Sequence, residues 1–168
     1  FRLFNLKQDG SLGSFASNSN YNAYFLIEDL HGYSGIKPRA YQDYMDVLGS
    51  PANQTLWRMA NVKYIILDNP ANVAGLVPLY SGNKTYVYEN QNALPRAYFV
   101  NTVQKANAME ILNKVKNNQF DPKEIAFVED ADVEVDKPDS TASVQIEKYG
   151  DENIYLNVKA SGNNFLFL

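Results

Sequence analysis

The segment Val62–Leu67 constrains the fold more than any other part of this 168-residue chain. Its sequence, VKYIIL, is rich in β-branched residues and almost continuously apolar. Asp68, Asn69 and Pro70 follow it, and these residue types commonly end a strand. Strands that are buried on both faces have this composition, because neither face meets water. The pattern therefore predicts a central strand of a sheet.

Three amphipathic helices are expected around this strand, two before it and one after it. Apolar side chains at the helical spacing i, i+3, i+4 and i+7 mark the first and the third helix: Tyr41, Tyr44, Met45 and Leu48, and then Ala108, Ile111, Leu112 and Val115. Pro38 suits the start of the first helix, and Gly49 suits the left-handed position that often follows a helix. The second helix, around Leu56 and Met59, occupies the interval before the central strand.

The remaining strands indicate the fold class. A hairpin is expected from residues 76–80 and 85–89, and strands at 96–100 and 124–128 enclose the third helix. A strand, a helix and a second strand within about 30 residues form a βαβ unit, whose two strands run parallel. The sequence therefore predicts an α+β fold that has a mixed sheet with helices mainly on one side.

The composition changes near residue 130, and the predicted domains follow from this change. Residues 131–141 are acidic and have no apolar side chain larger than valine, which is typical of a linker. Residues 142–168 alternate apolar and polar side chains in three segments, which predicts an antiparallel β meander with one face in water. We therefore expect an α+β domain at 1–130, an acidic linker at 131–141 and an antiparallel β segment at 142–168 that is truncated.

Charge and composition exclude several classes of function. The net charge is −4 and the basic residues are scattered among acidic ones, so a nucleic-acid partner is not expected. The chain has no cysteine, which excludes disulfides, thiolate metal sites and a cysteine nucleophile. The carboxylates at 129–136 lack the glycine and the terminal glutamate of an EF-hand loop, so we expect no metal site there and no cofactor.

One cluster of polar loop residues is the strongest candidate for a site. It contains Glu28, Asp29, His31 and Tyr33, and His31 is the single histidine of the chain. No Gly-x-Ser-x-Gly elbow supplies a nucleophile, so no catalytic residue is assigned. A loop histidine that is hydrogen-bonded to a neighbouring carboxylate is the simpler interpretation of His31. The tyrosine rings offer faces on which sugar rings stack, which makes sugar binding the alternative.

Five short motifs follow one another along the chain. They are Gly32-Tyr33-Ser34, Arg39-Ala40-Tyr41-Gln42-Asp43-Tyr44, Ala60-Asn61-Val62-Lys63-Tyr64-Ile65-Ile66, Val87-Tyr88-Glu89-Asn90 and Ala93-Leu94-Pro95-Arg96-Ala97-Tyr98-Phe99-Val100. In this order they resemble the extracytoplasmic region of the YfhO family of bacterial multi-pass membrane proteins. The resemblance covers residues 20–130, whereas residues beyond 130 fit the family only as generic strands.

The resemblance implies a location and a parent activity. The parent would be a membrane protein similar to the polytopic glycosyltransferases that use lipid-linked sugar donors to modify cell-envelope glycopolymers. The catalytic acid of such enzymes lies on a loop between early membrane helices, so no family catalytic residue is carried over to this chain. The chain would be an extracytoplasmic module, periplasmic or extracellular, and its partner would be the membrane domain of its own parent.

Two hypotheses of function follow. In the first, the module helps to bind or orient a glycan or a lipid-linked sugar, and its substrate-binding residues are Glu28, Asp29, His31, Tyr33, Arg39 and Arg96. Arg96 either pairs with an acidic residue inside the fold or faces a phosphate-bearing donor. In the second, the module is structural or binds another protein, and it caps the membrane domain. A deep cleft lined by tyrosines and carboxylates would favour sugar binding, whereas a flat, exposed apolar patch would favour docking.

Overall fold

The computed structural model describes most of the chain, namely residues 1–7, 21–30, 39–48, 52–130, 132–150 and 152–168. Contacts among these residues divide the chain into two compact units, Phe1–Leu94 (unit 1) and Pro95–Leu168 (unit 2). The linker predicted at 131–141 falls inside unit 2. Both helices and a mixed sheet are present, so the predicted α+β class is confirmed.

Unit 1 is built on a four-stranded mixed sheet. Its described elements are β1 (Arg2–Leu6), a 3-10 turn (Tyr21–Phe25), α1 (Arg39–Leu48), α2 (Gln54–Met59), β2 (Val62–Leu67), β3 (Leu76–Gly82) and β4 (Thr85–Asn90). The strand order is β1-β2-β4-β3. β1 runs parallel to β2, and the other neighbours are antiparallel. β2 therefore lies inside the sheet, which confirms its predicted central position.

The core of unit 1 lies between this sheet and α2. Phe4 of β1, Val62 and Ile65 of β2, and Trp57 of α2 are buried together. The ring centroids of Phe4 and Trp57 are 5.5 Å apart. α2 begins after Asn53, whose side chain accepts a 2.8 Å hydrogen bond from the backbone N–H of Leu56. This cap fixes where the helix starts and so places Trp57 against the sheet.

Unit 2 contains the predicted βαβ unit. Its elements are β5 (Tyr98–Val100), β6 (Thr102–Lys105), α3 (Ala108–Lys116), β7 (Ile125–Val128), β8 (Ser143–Tyr149), β9 (Ile154–Lys159) and β10 (Phe165–Phe167). β6 and β7 flank α3 and pair in parallel. The prediction that the strand at 96–100 opens this unit was wrong. The strand there, β5, is followed by β6, whose polar sequence TVQK gives no strong strand signal.

The predicted three-stranded meander is also corrected by the structure. β8 and β9 form the expected antiparallel hairpin, but β10 pairs antiparallel with β5 and not with β9. The loop before β10 is held by Asp136, which exchanges backbone and side-chain hydrogen bonds with Asn163. Phe167 then stacks on Tyr98, with ring centroids 5.2 Å apart. β10 therefore has an aromatic packing partner in β5.

No helix among the described residues is long and apolar enough to cross a membrane. The longest of these helices, α1, has 10 residues.

The capping box of α3 supplies a test of the helix prediction. The side chain of Asn107 accepts from the backbone N–H of Glu110, and the Glu110 carboxylate accepts from the backbone N–H of Asn107, each at 3.0 Å. Asn107→Ala is expected to lower the free energy of unfolding by about 1 kcal/mol, because the backbone N–H of Glu110 loses its side-chain acceptor. Urea unfolding followed by circular dichroism measures this loss. Asn113→Ala on the same helix is the control and should cause no loss, and equal losses in both variants would contradict the assigned cap.

Candidate functional site

The six residues predicted to bind substrate are distributed over both units of the chain. Glu28, Asp29 and Arg39 belong to unit 1, and Arg96 belongs to unit 2. His31 and Tyr33 lie outside the described residues.

Glu28 and Asp29 attach a loop to the edge of the sheet in unit 1. The backbone N–H of Leu3 donates to the carbonyl of Glu28 at 2.9 Å, and the N–H of Leu30 donates to the carbonyl of Leu3 at 2.8 Å. The Glu28 carboxylate lies 3.7 Å from the guanidinium of Arg2. Asp29 accepts a 2.6 Å hydrogen bond from the buried side chain of Asn22. Both carboxylates thus have partners within the fold.

Two tyrosines of α1, Tyr41 and Tyr44, have different surroundings. The Tyr41 hydroxyl donates to the carbonyl of Leu30 at 2.8 Å. Burial, and then the nearby Asp29 carboxylate, raise the pKa of Tyr41 above its ordinary value. Burial also raises the pKa of Tyr44, whose hydroxyl has no hydrogen-bond partner among the described residues. α1 is therefore joined to the loop through Tyr41.

Arg39, at the start of α1, is paired on its own helix. Its guanidinium lies 3.5 Å from the Asp43 carboxylate, and its side chain is 93% exposed. An exposed i,i+4 pair of this kind contributes only about 0.3–0.5 kcal/mol to stability. Arg39 is therefore accessible to a ligand, and the described residues form no site around it.

Arg96 is stacked on Tyr149. Its guanidinium donates to the Tyr149 hydroxyl at 2.6 Å, and its central carbon lies 4.5 Å from the ring centroid. Arg96 precedes β5 and Tyr149 ends β8, so this contact ties the hairpin to β5. Its neighbours in the chain, Pro95 and Ala97, line a groove, whereas Arg96 itself does not.

That groove runs beside β5 and has a lining of mixed chemistry. It has a volume of about 360 Å³ and is open to solvent. Aromatic, amide, ammonium and hydroxyl groups line it, from Tyr98, Phe99, Asn101, Lys123 and Ser143. No ion pair occupies the Lys123 ammonium in the described part of the chain. We refer to this surface as the β5 groove.

The strand at 96–100, which contributes the aromatic residues of the β5 groove, was predicted from the sequence. The polar residues that line this groove were not. Asn101, Lys123 and Ser143 come from three separate segments, and each looks like an ordinary turn or strand-end residue. Asn101 is oriented by Glu124, because its backbone N–H donates to the Glu124 carbonyl at 3.0 Å and its side-chain amide contacts the Glu124 carboxylate. The only local signal was the Pro95-Arg96 step before a strand.

A second open groove, of about 530 Å³, lies between β6 and the acidic segment. Thr102, Val103 and Val135 form part of its wall, together with Glu134 and Asp136. The Asp136 carboxylate already accepts from Asn163 at 2.8 Å. In the described ranges no group of three or more histidine, aspartate or glutamate side chains is arranged to hold a metal ion. This groove therefore lacks the convergent ligands of a cation site.

Asp139 anchors the acidic segment to the loop before β10. Its carboxylate accepts hydrogen bonds from the Ser161 hydroxyl, from the Thr141 hydroxyl at 2.8 Å and from the Thr141 backbone N–H at 2.7 Å. Because these bonds favour the ionised form, they lower the pKa of Asp139 to about 2, and Ser161 contributes most. The segment that was expected to be a solvated linker is thus attached to the rest of unit 2.

Comparison with known proteins adds no relative. No protein-family model, no curated protein and no solved structure matches this chain. The similarity to the YfhO family therefore stays a prediction that rests on the five ordered motifs.

The two tyrosines of α1 offer a matched test of this local structure. Tyr41→Phe removes a hydrogen bond and is expected to lower the free energy of unfolding by about 1 kcal/mol. Tyr44→Phe removes a buried hydroxyl without a described partner, so it is expected to be neutral or stabilising. Urea unfolding followed by the fluorescence of Trp57, the single tryptophan, reports on unit 1. An equal loss in both variants would show that the Tyr44 hydroxyl is bonded after all.

The pKa of Asp139 gives a test in unit 2. A carboxylate whose pKa is lowered by folding stabilises the protein above its unfolded pKa, near 4, and this contribution is lost as the pH falls toward 2. Ser161→Ala removes the main donor and should raise the pKa of Asp139 toward its ordinary value of 3.8. Carbon-13 NMR titration of the side-chain carboxyl measures the midpoint. Ser143→Ala is the control, and an unchanged midpoint in Ser161→Ala would disprove the assigned bond.

Proposed function

We propose that this chain is a non-catalytic, extracytoplasmic module of a bacterial membrane protein similar to glycosyltransferases. In this role it helps to bind or orient a glycan or a lipid-linked sugar while a cell-envelope glycopolymer is modified. The membrane domain of its own parent chain is its partner. The observation that carries this proposal is the β5 groove, where aromatic and polar side chains meet.

The groups in the β5 groove suit a sugar. Aromatic side chains such as Phe99 offer apolar surface for a sugar ring, while the Asn101 amide and the Ser143 hydroxyl provide hydrogen-bonding groups for sugar hydroxyls. The volume of about 360 Å³ lies in the lower part of the range of ligand sites, about 300–1,000 Å³, which favours a short glycan. The surface is open, as is needed if the ligand is one portion of a longer polymer or lipid.

Lys123 suggests that the sugar carries a phosphate. Its side chain is exposed and its ammonium is not engaged in an ion pair with any described residue. An ammonium is a point charge that binds phosphate oxygens well. In a lipid-linked donor, the sugar phosphate combines a negative charge, which an ammonium can bind, with a sugar ring, which can stack on an aromatic side chain.

A structural or protein-interaction module is the second candidate, and the hairpin of β8 and β9 favours it. Among the described strands these two pair only with each other. Ile154, Tyr155 and Val158 of β9 are 38%, 53% and 46% exposed. Strand edges with exposed apolar side chains are suited to pairing with another chain.

An NMR titration distinguishes the two candidates. Nitrogen-15-labelled protein is titrated with hexose 1-phosphates and with neutral envelope oligosaccharides. Saturable shifts at Asn101, Lys123 and Ser143 are expected for the glycan module. Shifts at residues 28–30 and 39–41 would place the site in unit 1 instead, and no saturable shift at millimolar ligand would favour the interaction module.

A charge variant sharpens this experiment. Lys123→Gln is expected to weaken the binding of a hexose 1-phosphate by about tenfold, because a charge-assisted hydrogen bond is lost. Binding of a neutral oligosaccharide should change little. Lys159→Gln, an exposed lysine of β9, is the control. Equal weakening by both variants would indicate general charge attraction rather than a phosphate site in the β5 groove.

A further inference from the structure

Four successive apolar residues, 24–27, are exposed on unit 1, and we call them the apolar tip. Tyr24, Phe25, Leu26 and Ile27 are 77%, 60%, 93% and 38% exposed. Leu26 is more exposed than any other large apolar side chain that the structure describes. Single exposed apolar residues are common, but a contiguous exposed group marks an interaction surface.

The backbone of the apolar tip is strained in a way that projects Leu26. The N–H of Leu26 donates to the carbonyl of Ala23 and the N–H of Ile27 donates to the carbonyl of Asn22, each at 3.1 Å. This pair of bonds is a Schellman motif, whose left-handed position is usually glycine. Leu26 occupies it with a φ of 55°. A leucine is disfavoured there, and its exposed side chain recovers nothing through burial, so the strain indicates a function of the side chain outside the fold.

The apolar tip rests on a well-connected base. Asn22, where the Schellman motif starts, is buried and donates to the Asp29 carboxylate. The residues that follow the tip are hydrogen-bonded to β1 through Leu3. The tip is therefore presented in a defined position and is not a frayed end.

We propose that the apolar tip inserts into the surface of a lipid bilayer. Four side chains are too few for a stable protein–protein interface, which buries about 800 Å² on each partner. A bilayer has no such requirement, since a few apolar side chains can enter the region between head groups and acyl chains. Tyrosine prefers the head-group level, and leucine and phenylalanine prefer the apolar level beneath it.

The charges of unit 1 indicate which bilayer it contacts. Basic and acidic residues balance in unit 1, so the net charge of −4 lies in unit 2. Glu28 and Asp29 follow the apolar tip directly. Attraction by anionic lipid therefore contributes nothing, and binding depends on apolar insertion. The tip should bind a zwitterionic bilayer, and salt should have little effect. This inference does not depend on glycan binding in unit 2.

Vesicle flotation of the whole chain tests the proposal. The protein is expected to float with phosphatidylcholine vesicles, and Leu26→Asn should lower the partition coefficient by about tenfold or more, because the most exposed apolar side chain is lost. Asparagine tolerates the left-handed backbone, so the thermal midpoint should stay the same or rise. Leu79→Asn is the matched control, since Leu79 of β3 is 54% exposed, and it should change partitioning by less than about twofold.

A depth measurement keeps the test decisive. Leu26→Trp and Leu79→Trp are each mixed with vesicles that contain brominated phosphatidylcholine. Quenching of the new tryptophan is expected only in Leu26→Trp, whereas Trp57 lies in the core and should not respond. Failure of the unaltered chain to float, or equal effects of the variants at positions 26 and 79, would overturn the proposal. Neither outcome changes the sugar-phosphate titration of Lys123→Gln, so the two proposals fail separately.

Discussion

The packing of Phe4 against Trp57 and Ile65 is the contact on which unit 1 depends. It holds β1 beside β2, although the two strands are far apart in the sequence. The loop at 28–30 is bonded to β1 through Leu3, and Tyr41 of α1 is bonded to that loop. The loop at 28–30 and α1 are thus linked to β1, and β1 is held beside β2 by this apolar contact together with backbone pairing.

The parts of the fold that a local pattern determines could be predicted from the sequence. β2, α1 and α3 each carry a strong apolar pattern together with breaking residues, and the structure contains all three. The errors concern pairing. β6 was missed because four residues of mostly polar sequence carry almost no periodic signal. β10 was assigned to the wrong neighbour because its alternation predicts a strand but not which strand it pairs with. That pairing depends on residues far away in the sequence, since Tyr98 stacks on Phe167 and Asp136 bonds to Asn163.

The candidate site shows the same limit. Clustered polar residues in a loop suggested a binding surface, yet the Glu28 carboxylate lies beside Arg2 of β1 and the Asp29 carboxylate accepts from Asn22. The β5 groove was not predicted because its polar residues come from three segments that no motif connects. Only folding brings Asn101, Lys123 and Ser143 to one surface. Arg96 was singled out by its Pro-Arg step; its neighbours Pro95 and Ala97 line that groove, and its own guanidinium bonds to Tyr149.

The pairing of β5 with β10 has a consequence for how unit 2 is made. A ribosome releases β5 long before it releases β10, and in that interval the backbone edge and the rings of β5 are exposed to water and to other chains. The βαβ unit can form at once from neighbouring residues, whereas β5 must wait. The nascent chain thus has a short, unpaired strand edge at β5 until β10 has been synthesised. During this interval unit 2 is most prone to aggregation and to binding by chaperones.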